Sequence, residues 1–143
     1  MSLADDLRRA AALGPRVGFD LFRAVAELAI ARLRLSAQGP ERLLAAGNDS
    51  PHANLSPIQT HLIDRVAFAI PRAAARVPWR ATCLVQALAA RRWLAREGIA
   101  SQLVLGARKD GDALDAHAWL TVGDRVVIGG DVSGHQPFRP GRS

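Results

Sequence analysis

The sequence predicts an α+β fold: a helical N-terminal half, then a central buried helix bearing the cysteine, then a small antiparallel β-sheet. Three observations predict it. Up to about residue 97 the apolar residues recur at helical spacing. After Gly98 they alternate with period two, as strands do. The last two alternating runs are separated by Gly123-Asp124, which suits a two-residue hairpin turn, so helices come first and an antiparallel sheet follows.

The first part reads as helices over 3–13 and 17–35, bounded by Gly14-Pro15, with a short helical turn over 40–46. The stretch 47–56 is dense in turn formers and reads as an exposed loop. It is the natural boundary between a helical region, 1–55, that packs on the core, and the core domain itself, 56–143. Ser56 then offers an N-cap, Pro57 a first helical residue and Gln59 the partner of a capping box. That helix is expected to run to Ile70 and end at Pro71, with Ile58, Leu62, Ile63, Val66, Ala69 and Ile70 on one face. An arginine-rich connector (Arg72, Arg76, Arg80) leads to Thr82, an N-cap, and to a helix from Cys83 to about Glu97 stopped by Gly98. Its first half is apolar nearly all round, which places it at the centre of the domain. Strands are expected over 101–107, 114–122 and 125–128.

At 143 residues the chain is about one domain long, and 49% hydrophobic against 22% charged residues is a globular balance. The formal charge of +6 favours acidic partners. The arginines are spread through every segment, with no RNA-binding signature and no zinc-ligand spacing, so nucleic acid is not the expected partner. A single cysteine excludes an internal disulfide framework and suits a reducing compartment, hence a cytoplasmic location. The N-terminus lacks the apolar core of a secretory signal. Asp20, Arg23, Glu27, Arg32 and Arg34 interrupt the apolar stretch 17–35, so it reads as an amphipathic helix without stable membrane insertion.

Cys83 falls in the first turn of the central helix, where unpaired backbone N–H groups and the positive end of the helix dipole stabilise a thiolate. The same N–H groups can donate to an oxyanion. Of the four histidines, His52 lies in the polar loop, His61 on a helix and His135 in the C-terminal tail. His117 is in mid-strand, sharing a face with Asp115, Trp119 and Thr121. Cys83 and His117 are expected to meet if the central helix packs on that face. A third group should orient the imidazole. Asp131 is the first choice, and because a regular hairpin would set His117 opposite Gly130, it needs a bulge at Gly129-Gly130 to share the histidine face. Asp115 is the second choice. Trp79 and Trp119 are candidate walls of a peptide groove, and Gln86 a candidate oxyanion donor.

The segments Pro78-Trp79-Arg80-Ala81-Thr82-Cys83-Leu84-Val85-Gln86, Ala116-His117-Ala118-Trp119 and Val126-Val127-Ile128-Gly129-Gly130 resemble the lasso-peptide maturation proteases, which are transglutaminase-like, papain-type leader peptidases. The resemblance spans 78–130 and includes the separation of cysteine from histidine. It implies a transglutaminase-like core, Cys83 as nucleophile, His117 as base and a later aspartate as third member, commonly nearer the histidine than Asp131 is. It also implies removal of the leader from a ribosomally made precursor peptide through an acyl-enzyme, without metal, nucleotide or other cofactor. The residues before Ser56 have no strands for a leader-binding domain, so a separate leader-recognition protein is expected as partner, together with the lasso cyclase. Two alternatives share these residues: a transglutaminase-like acyl transferase, and an inactive binding subunit of a peptide-maturation complex.

Overall fold

The computed structural model describes residues 4, 5, 8, 12, 14–45, 54–130, 132 and 134–137. Positions 4, 5, 8 and 12 are helical, while the rest of the helix expected over 3–13 and most of the loop after 46 lie outside the described residues. The α+β expectation holds, with three long helices followed by a four-stranded antiparallel sheet.

Helix α1 (Pro15–Ala45) joins the two helical segments expected at 17–35 and 40–46, with a kink at Gly39, whose φ of 77° a side chain would resist. Its buried face is Ala24, Leu28 and Ala31. The acidic residues that interrupt its apolar run are themselves buried, and each is paired. Both carboxylate oxygens of Asp20 accept from Arg65, with Nε at 2.8 Å. Glu27 lies 3.1 Å from Arg92 Nε and 3.9 Å from Arg23. Burying a carboxylate is tolerable only with such partners, so these pairs fix α1 against the next two helices in one register.

Helix α2 (Pro57–Ala74) starts as its capping box requires: Ser56 Oγ accepts from Gln59 N and Gln59 Oε1 accepts from Ser56 N, at 3.2 and 2.9 Å. It does not end at Pro71. The proline forfeits one backbone bond, but Ala75 N donates to Pro71 O, Arg72 stacks over Phe68 and donates to its carbonyl, and Ala73 is buried. These contacts carry the helix one further turn past the expected stop.

Helix α3 (Cys83–Arg96) is capped by Thr82 and followed by Gly98 in the left-handed region. Val85, Ala87, Leu88, Ala89, Ala90, Trp93 and Leu94 bury it as the central element, packed by α1, α2 and β2. Strands β1 (Gln102–Asp110), β2 (Ala113–Val122) and β3 (Arg125–Ile128) form a meander, and β4 (Gln136–Pro137), which the sequence reading left in the tail, joins the free edge of β1. The sheet order is β3-β2-β1-β4.

Two details of the sheet bear on the site. The β2–β3 register does shift, though between Leu120 and Thr121, so that Leu120 pairs with Ile128 but Thr121 with Val126. The expected bulge thus sits earlier than Gly129-Gly130. In addition, Leu120 and Val122 point into the core with Leu103, Val127 and Ile128, and Ala118 is buried on their side. The helix layer therefore covers that face of β2, not the His117 face as the sequence reading required. Alternation decides it: the apolar trio gains from burial, whereas His117 and Thr121 would carry polar groups into the helix layer.

Candidate active site

Cys83 is half-buried at the N-terminal end of the central helix α3. Thr82 Oγ1 accepts from Val85 N at 3.3 Å and Thr82 O from Gln86 N at 2.9 Å. Among the described residues the N–H groups of Cys83 and Leu84 have no acceptor, as expected for a helix start, and remain available to an anion. Gln86 does not supply a donor there. Its Nε2 donates to Ala81 O at 3.1 Å, tying the connector to the helix directly ahead of the thiol.

His117 sits where β2 leaves the core: residues 113–116 are exposed, His117 is half-buried and 118–120 are buried. Its Nε2 lies 2.8 Å from Gly129 O. A carbonyl only accepts, so Nε2 carries a proton, and in the neutral imidazole this leaves Nδ1 as a lone pair able to take one. The orienting contact that the sequence reading sought in a carboxylate is here a backbone carbonyl. Gly129 is what permits it: φ is 126°, and a Cβ would stand 2.4 Å from Trp119 Cβ and 3.5 Å from His117 Nε2.

Asp131 lies outside the described residues. Asp115 is described, and its Oδ2 is 3.5 Å from both Arg108 and His135 Nε2. His135 is the residue that sequence reasoning missed. Its ring centroid is 5.2 Å from that of His117 and 6.2 Å from Trp119, whose own distance to His117 is 6.1 Å. Strand β4 brings it there, and two residues are too short a run for alternation to reveal. The indole of Trp119 lies across Gly106 of β1, where a Cβ would be 2.5 Å from the ring, whereas Trp79 packs against the helical core. His61 is exposed on α2, and His52 lies outside the described residues.

Cys83 and His117 share no hydrogen bond among the described residues. Each is at the margin of the helix–sheet sandwich, the thiol at a helix end and the imidazole where its strand emerges. Among the described residues, no cluster of His, Cys, Asp or Glu is arranged to hold a metal ion, and no helix is long and apolar enough to cross a membrane.

Cys83 thus opens a capped helix of the central layer, and His117 stands on the sheet with Nε2 at Gly129 O. The family model of the transglutaminase-like superfamily matches residues 24–143, and the chain belongs to that superfamily. The match takes in α1 from Ala24, the residue with which its buried face begins. Comparison with curated proteins and with solved structures gave no match.

Proposed function

We propose that the chain is a cysteine peptidase that removes the leader from a lasso-peptide precursor, with Cys83 as nucleophile and His117 as base. The observation that carries the reading is the bond from His117 Nε2–H to Gly129 O, because it leaves Nδ1 free to take the thiol proton. Cys83 then attacks the scissile carbonyl, with the Cys83 and Leu84 N–H groups as donors to the developing oxyanion. His117 returns the proton to the leaving amine, and water resolves the acyl-enzyme by the same route. Superfamily membership supports thiol chemistry on this scaffold. The likeness of the segments around Cys83, His117 and Gly129 to lasso-peptide proteases supports leader removal in particular. Asp131 is proposed as an additional orienting group. A separate leader-recognition protein delivers the precursor, which raises the local substrate concentration, and the lasso cyclase acts on the product in the cytoplasm.

Because the helix layer covers the other face of β2, attack requires the thiol to reach the ring past the margin of the sandwich. A short bis-electrophile tests this directly. Treatment with 1,3-dibromoacetone followed by peptide mapping should yield one bridge joining Cys83 to His117, and exclusive labelling of Cys83 without a bridge would sink the dyad. With precursor and recognition protein present, a separated leader and core indicates a peptidase, and a mass-conserving crosslink an acyl transferase. Cys83→Ala should abolish cleavage, and His117→Ala should lower kcat/KM by roughly 10²–10⁴-fold.

A further inference from the structure

His135 has no part in the reaction just described, yet its side chain is only 7% exposed and, among the described residues, neither of its buried ring nitrogens has a hydrogen-bond partner. Leaving a buried imidazole in that condition is costly. Its surroundings suggest a use. The terminal torsion of a histidine is broad, so the single hydrogen bond to Gly129 anchors one ring atom of His117 but does not by itself fix the ring plane. Trp119 and His135 supply the remaining restraint: the three rings form a near-equilateral triangle, with the His135 plane tilted 43° to His117 and that of Trp119 inclined 27°. The strand that follows His135 sets its place. The pairing of Gln136 and Pro137 with Ala107 and Gly106 fixes its backbone, and Asp115, which also faces Arg108, lies 3.5 Å from its Nε2.

Resting on the peptidase reading above, we infer that His135 is a positioning residue: placed by the strand β4 that follows it, its ring packs against the His117 imidazole and holds it in the plane that presents Nδ1 to the thiol.

The test replaces His135 by leucine, which keeps an apolar side chain without a ring, and by phenylalanine, which keeps the ring without its nitrogens. Folding is checked by thermal melting. Two rates are read: alkylation of Cys83 by iodoacetamide at neutral pH, which needs no substrate, and cleavage of the precursor. His135→Leu should slow alkylation and lower kcat by about 10-fold with KM within about twofold, and His135→Phe should recover most of both rates. A folded leucine variant with undiminished rates overturns the inference, as does a phenylalanine variant no better than leucine. His117→Ala separates this failure from that of the dyad. If alkylation depends on His117 but not on His135, only the positioning role falls. If it is indifferent to His117, the peptidase mechanism falls as well.

Discussion

Replacing Gly129 by alanine probes fold and site together. At φ 126° an L-residue sits in a region open essentially to glycine, a strain of about 1–3 kcal/mol. The added methyl would also stand 2.4 Å from Trp119 Cβ and 3.1 Å from Trp119 Cα, atoms of a paired strand that no rotamer change can move aside. Relief must come from the backbone, at about 1–3 kcal/mol for overpacking. Together these predict a loss of about 2–6 kcal/mol, a large fraction of a typical domain's stability of roughly 5–15 kcal/mol. The shift also carries Gly129 O away from its 2.8 Å contact with His117 Nε2, so the base loses its tautomer lock. Urea denaturation measures the first effect, and iodoacetamide alkylation of the remaining folded protein the second. A Gly129→Ala variant within about 0.5 kcal/mol of the parent, alkylated at the parental rate, would refute the argument from local geometry.

Gly106→Ala should destabilise for a related reason, since its Cβ would meet both the Trp119 ring and Gln136 O; the melting temperature should fall, and the three-ring cluster should loosen, visible as lost ring-current shifts on His117. Thr82→Ala removes the N-cap beside the nucleophile and should cost about 1 kcal/mol in chemical denaturation. Gln86→Leu should cost about 1 kcal/mol by leaving Ala81 O without its donor, and should slow Cys83 alkylation by freeing the connector. Asp20→Ala strands the Arg65 guanidinium, with an expected loss of about 2 kcal/mol after allowance for its partial exposure. The hydrogen bonds that Arg65 donates to Asp20 raise its proton affinity in the fold. Stability from a raised group is present below its unfolded titration range and lost above it, so the gap between parent and variant should be unchanged by Arg65 titration at neutral pH and shrink in strong alkali.

Chemical identity and local signals carried much of this structure. Ser56, Pro57 and Gln59 specify the start of α2, and Thr82 that of α3, because a cap is built from neighbours in the chain. The turn at Gly123-Asp124 and the place of Cys83 at a helix N-terminus follow from the same kind of short-range chemistry. Pro71 misled because its local cost was weighed without the packing of Ala73 and the stacking of Arg72 on Phe68.

By itself the sequence determined the α+β order, the helix-borne thiol, the strand histidine and which side chains alternate along β2, all of which depend on residues close in the chain. Only the tertiary structure decided which face of β2 the helices cover, that a carbonyl at Gly129 contacts His117, and that His135, just ahead of a two-residue strand, lies against it. Those outcomes depend on how burial free energy is shared among elements far apart in sequence, and periodicity within a segment carries no record of which neighbour will cover it.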